Sequence, residues 1–165
     1  MKIRVAALVF TAAFLLQGTL LNIVDFWGAT PNLILCLVIA LTFLYENEHA
    51  IYLGVAFGLL GDICFSDMAG ISSLGYLAVG FIIVKHRNSL NKEALVSPII
   101  LGIAGTFLFN SISWATRLLL GNPFDFLQFL KLQPLYMALN VMVMVLLYFA
   151  LINHVVKHRS DRYYR

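Results

Sequence analysis

The sequence predicts an all-α integral membrane protein with six transmembrane helices, and three observations predict it. Of its 165 residues, 61% are hydrophobic and only 12% are charged, whereas roughly a quarter are charged in soluble domains. Mean hydropathy is +0.90, and near-continuous apolar runs approach the ~20 residues that a spanning helix needs. The basic residues fall at intervals that make one side of such a helix array positive. The whole chain, residues 1–165, reads as one polytopic membrane domain, because no polar stretch is long enough to form a soluble one.

The spans are expected at about 5–24, 31–45, 50–66, 70–84, 97–120 and 134–156. Lys2 and Arg4 precede the first, whose apolar run is broken only by Thr11, Gln17, Thr19 and Asn22. It is longer than a signal-peptide core and no small-residue cleavage site follows, so it reads as retained. Ala6, Ala7, Ala12 and Ala13 give its first half a small surface for packing. Asp25 to Asn32 is a turn holding an interfacial Trp27, and Pro31-Asn32 opens a short second span. Glu46 to His49 is a polar loop before the third span. Ser66 to Gly70 is a tight turn before the fourth, which carries Ser72, Ser73, Gly75 and Gly80. Short spans imply local thinning, snorkelling ends or burial within a bundle.

Lys85 to Glu93 is the longest basic loop. On the fifth span Gly102, Thr106, Asn110, Ser113 and Arg117 recur every three to four residues and form one small-to-polar face, which in lipid turns inward. Gly121-Asn122-Pro123 ends it. Asn122 is placed to cap a new helix with Pro123 at its first position. The aromatic segment Phe124 to Pro134 is too short to span and reads as a helix lying in the interface; the other reading makes Asn122 to Lys131 a docking surface for a partner. The sixth span leads into a basic tail, Lys157 to Arg165. With six spans and both termini in the cytoplasm, the inner side holds Lys2, Arg4, Lys85, Arg87, Lys92 and the tail; the outer side holds only Arg117 and Lys131. Positive residues resist translocation, so this asymmetry supports the count.

The stretch that organises the chain runs from Gly54 to Tyr76. Gly54, Gly58 and Gly61 share one helix face, with Asp62 one turn beyond Gly58. A second helix can approach such a face closely. A carboxylate at membrane depth costs about 2.5–3.5 kcal/mol even on the mild insertion scale, so Asp62 needs a partner or a wet pocket. Arg117 falls on the same side. The two either form an ion pair or share a polar pocket with Asn110, or else Arg117 snorkels to headgroups while Asp62 reaches outer water.

Several function classes are excluded. A proton relay needs ionisable groups through the membrane, and Asp62 has no inner-leaflet counterpart. Gly61-Asp62 is similar to part of an aspartyl intramembrane protease motif, but Leu59 stands where that motif has glycine, and no span carries a second aspartate. HExxH, Gly-x-Ser-x-Gly and P-loop patterns are absent. No catalytic residue, cofactor or metal site is assigned. Cys36 and Cys64 lie in apolar surroundings and read as packed free thiols. No basic surface is interleaved with aromatics, so nucleic acid is not a partner.

Pro31-Asn32, then Gly54-x-x-x-Gly58-Leu59-Leu60-Gly61-Asp62, then Asp67-x-x-Gly70-x-x-x-Leu74-Gly75-Tyr76, in that order before a basic loop and a basic tail, resembles the rod shape-determining protein MreD family. The motif content lies between Pro31 and Tyr76, with Cys64-Phe65-Ser66-Asp67 replacing the usual run; the second half matches in hydropathy alone. The resemblance implies a non-enzymatic scaffold of the inner membrane that supports lateral peptidoglycan synthesis in the elongasome. It implies MreC as direct partner, with RodA, a class B penicillin-binding protein and MreB engaged indirectly. It also implies a six-helix fold similar to substrate-binding components of energy-coupling-factor vitamin transporters. That similarity supplies an alternative, a vitamin-binding component using Asp62, Asn110, Trp114 and Arg117. Gly54, Gly58, Gly61, Asp62, Gly70 and Gly75 are the residues expected to set helix packing.

Overall fold

Apolar runs broken by polar turns give helices packed in antiparallel succession. The computed structural model describes residues 3–23, 28–66, 68–92, 94–121 and 126–163, with the side chains of 20–23 and 153–163 left aside. Among these residues the chain is helical, without strands. The helices are α1 (Ile3–Ile23), α2 (Leu33–Leu44), α3 (His49–Phe65), α4 (Ile71–His86), α5 (Val96–Leu119) and α6 (Phe126–Tyr163), with a 3-10 turn at Arg87–Ser89. The expected roles of Lys2, Trp27, Asp67, Asn122 and Pro123, and of the basic tail's side chains, fall outside the described residues.

The apolar helix α2 occupies the centre. Every residue from Ile34 to Leu44 is buried. Its 12 residues rise only about 18 Å, at ~1.5 Å per residue. It touches all five other helices, so its short length is answered by protein on all sides. α3 lies against α4, and α5 against α6. In α1 the inward residues are Ala6, Phe10 and Ala13, spaced at three to four as a single face requires.

Among the described residues, two helices are long and apolar enough to cross a bilayer by themselves: α5, and α6 from Phe126 to Ile152. The sequence predicts an interface helix over Phe124 to Pro134 and a separate span from about residue 134. The structure instead joins them, with Pro134 inside one 38-residue helix. A proline removes one backbone donor and crowds the carbonyl four residues back. The first turns of α6 are nonetheless held on α5, where Trp114 packs on Phe126 and Phe129 at centroid distances of 5.4 and 5.6 Å. The aromatic residues therefore dock on another helix, which removes the need for a flat interfacial segment.

The two ends of the bundle differ. At one end Arg87 pairs with Glu48 at 3.2 Å and Lys92 pairs with Glu46, tying the α2–α3 connection to the α4–α5 connection. At the other end lie the start of α2, the α3–α4 turn, the last turns of α5 and the first of α6. Cys36 is buried, whereas Cys64 is exposed on the bundle surface. The expectation of packed thiols thus fails for Cys64, which α3 turns away from its neighbours.

Close approach explains the α3 glycines unequally. A Cβ on Gly54 would collide with Val38 of α2. One on Gly58 would sit 2.7 Å from the Tyr76 ring and 3.1 Å from the Ser73 backbone nitrogen. At Gly61 the nearest atom, on Phe14, is 3.7 Å away, an ordinary contact. Gly58→Ala should therefore destabilise, since overpacking costs about 1–3 kcal/mol, while Gly61→Ala should be neutral or gain up to about 1 kcal/mol of helix propensity. Thermal unfolding of the two variants in detergent should show Gly58→Ala melting lower than the parent and Gly61→Ala not lower.

Candidate functional site

Asp62 ends α3 and begins α4. It is 4% exposed. Its Oδ2 accepts from the backbone N–H groups of Gly70 and Ser72, each at 2.9 Å, and its Oδ1 accepts from the Ser72 hydroxyl at 2.5 Å. The first amides of a helix lack intrahelical partners and carry a partial positive charge. Asp62 supplies the missing acceptor from eight residues upstream, so the carboxylate is capped by α4 and α4 by the carboxylate. Gly70 stands at the cap position with φ +96°, a left-handed conformation open to glycine at little strain. Its Cβ position is empty space, so backbone conformation alone selects glycine there.

A second polar cluster threads the start of α2. Asn32 caps that helix, its Oδ1 accepting from the Leu35 amide at 2.9 Å and from the Tyr76 hydroxyl at 3.0 Å. The Asn32 amide donates to Asn140 Oδ1 at 2.7 Å. Asn140 Nδ2 donates to Thr106 Oγ1 at 3.0 Å, and the Thr106 hydroxyl donates to the Gly102 carbonyl at 2.7 Å. Four helices (α2, α4, α5, α6) are joined by this chain of bonds. Tyr76 also stacks on Phe109 at 4.9 Å, a fit that requires Gly75, whose Cβ would lie 2.5 Å from that ring.

Between these clusters lies a cavity of about 230 Å³ lined by Gln17, Asn32, Asp62, Asn110, Arg117 and Asn140, among others. A neighbouring cavity of about 220 Å³ lies between α1 and α3, and a third of about 280 Å³ lies between α5 and α6. Arg117 lines all three. Among the described residues no three of His, Cys, Asp and Glu are grouped as a metal site would need.

The family model for the rod shape-determining protein MreD matches residues 2–157. The chain belongs to the MreD family. No curated protein and no solved structure matches it. MreD proteins are membrane proteins with a role in rod shape determination, and the two apolar helices fit insertion into a membrane.

In this MreD chain Asp62, Asn110 and Arg117 line one cavity, but Asp62 and Arg117 form no ion pair. Both carboxylate oxygens of Asp62 accept from the start of α4. Asn110 turns to α6 and donates to Gln133 Oε1 at 3.2 Å. Sequence reasoning missed Asn140, Gln133 and the role of Gln17, whose Oε1 accepts from the Ile34 amide at 3.3 Å. The signal for Asn140 is its isolation, one amide within the apolar run of α6.

Removing a partner from a buried hydrogen bond costs about 1–3 kcal/mol. Asp62→Asn and Asn140→Leu should each lower stability by roughly that amount, read as a lower thermal midpoint in detergent. The exchange Asp62→Arg with Arg117→Asp should express no better than either single change, because Asp62 is held by α4 amides that an arginine side chain repels.

Proposed function

We propose that this MreD chain is a non-enzymatic scaffold of the bacterial cytoplasmic membrane that binds MreC and supports lateral peptidoglycan synthesis. The observation that carries the reading is the family match across residues 2–157. The family's place in a complex with MreB and MreC makes MreC the natural direct partner. RodA and the class B penicillin-binding protein are engaged through it.

The proposed topology has six spans with both ends in the cytoplasm. The ion-paired end of the bundle gathers Glu46, Glu48, Arg87 and Lys92, and the positive-inside rule makes it the cytoplasmic end. The Asp62 end then faces outward. The shorter helices α2, α3 and α4 cross as part of a bundle whose centre is α2. The vitamin-transporter alternative gains nothing from the comparisons. At the start of α2, Asn32, Tyr76, Asn140 and Thr106 spend their polar groups on joining helices to each other.

Affinity capture of the full chain from membranes should bring down MreC without nucleotide-driven transport components. A purified chain carrying a stoichiometric vitamin and no MreC would overturn the scaffold reading. In a chain whose Cys36 and Cys64 are replaced by serine, an impermeant thiol reagent applied to intact cells should leave single cysteines placed at Ser89 or at either end unlabelled. Labelling of any of the three would break the six-span topology.

A further inference from the structure

Among the cavities, the one between α5 and the first turns of α6 differs from the rest. Its lining includes Asn110, Trp114, Arg117, Phe129, Leu132 and Gln133. Gln133 is only 6% exposed. Its Oε1 accepts from Asn110, yet its Nε2 has no partner. Native structures rarely leave a buried donor unpaired. Arg117 forms no ion pair with any described residue. Its place in the last turn of α5 explains a favourable interaction with that helix's dipole, but not why a second, buried donor beside the same cavity is also unused.

We propose that this cavity binds the phosphate of a membrane amphiphile. Arg117 and Gln133 donate to the phosphate oxygens, and Trp114, Phe129 and Leu132 lie along the apolar part. Both unused groups are donors, so the ligand must present acceptors. A guanidinium is matched by a group offering paired oxygens and negative charge, as a phosphate does. Asp62 does not line this cavity, and in the adjoining one its side chain already accepts from three donors. The apolar wall separates an amphiphile from a free anion: Trp114 sits against Phe126 and Phe129, which stack on each other at 6.2 Å. Such a surface gains nothing from inorganic phosphate but covers hydrocarbon or glycerol next to the headgroup.

The full chain, purified in detergent and stripped of lipid, can be titrated with phosphatidylglycerol and followed by native mass spectrometry. One saturable site is expected. Arg117→Ala should weaken binding at least about tenfold, in line with loss of a charge-assisted hydrogen bond, and Gln133→Leu should weaken it several-fold. Diacylglycerol, which lacks the phosphate, and inorganic phosphate, which lacks the hydrocarbon, should each bind at least about tenfold more weakly than phosphatidylglycerol. Equal binding of phosphatidylglycerol by parent, Arg117→Ala and Gln133→Leu would overturn the proposal, as would diacylglycerol binding as well as the phospholipid. Inorganic phosphate binding as tightly as the lipid would make the site one for a free anion and overturn it too. Should Arg117→Ala fail to fold, Arg117→Gln and Gln133→Leu carry the test. The readout does not involve MreC, so it stands or falls apart from the scaffold reading.

Discussion

A helix buried on every face has little water to satisfy its first amides, and α2, buried from Ile34 to Leu44, is such a helix. Its first amides must find acceptors within the protein or lose several kcal/mol each in an apolar medium. They find them on three sides: Asn32 Oδ1 on the Leu35 amide, Gln17 of α1 on the Ile34 amide, and Asn140 of α6 on the amide of Asn32 itself. The position of α2 therefore fixes where α1 and α6 stand. Tyr76, bonded to the same Asn32 oxygen, fixes α4. The small residues then allow what the bonds demand: Gly54 admits Val38 of α2, and Gly105 admits Ile39, with Cβ positions that no side chain could occupy unshifted.

The α3–α4 hairpin solves the same problem with one side chain. Asp62 brings a carboxyl group into the bundle and sets it against the amide end of a helix, where both of its oxygens accept hydrogen bonds. Its burial and the positive φ of Gly70 are one device. The turn must bring the α4 amides back onto the end of α3, and a left-handed residue is what reverses the chain there. Ser73 adds a bond from its hydroxyl to the Val55 carbonyl at 2.9 Å, which locks the two helices together one turn further in.

Much of this was legible in the sequence. Pro31-Asn32 marks the start of α2 because asparagine before an apolar run is a cap signal, and the Gly54–Asp62 face is visible from spacing alone. The fifth helix's polar stripe was legible for the same reason, and Gly102 and Thr106 are buried on it. The partners were not legible. Periodicity places Asp62 on a face without saying whether Arg117 or the backbone of α4 will answer it. The backbone is a donor that no sequence pattern advertises at a distance of eight residues. Asn140 was overlooked because one amide barely changes a hydropathy window. The continuity of α6 through Pro134 was hidden because a proline signal is local, whereas the docking of Phe126 and Phe129 on Trp114 is tertiary.

In lipid, burying apolar side chains against other apolar side chains supplies little net driving force, since the hydrocarbon outside is as apolar as the interior. What holds such a bundle is close contact and hydrogen bonds between helices. This chain places both at the same points: Gly58 lies against the Tyr76 ring whose hydroxyl reaches Asn32, and Gly75 lies under the Phe109 ring that stacks on Tyr76. The large residues left outside, such as Leu8 and Leu15 on α1 and Phe81 on α4, take no part in that cohesion. A frame closed from within leaves its outer apolar faces free of any structural duty. That is the condition the proposed scaffold role has to meet if a partner is to bind the chain and leave without disturbing the fold.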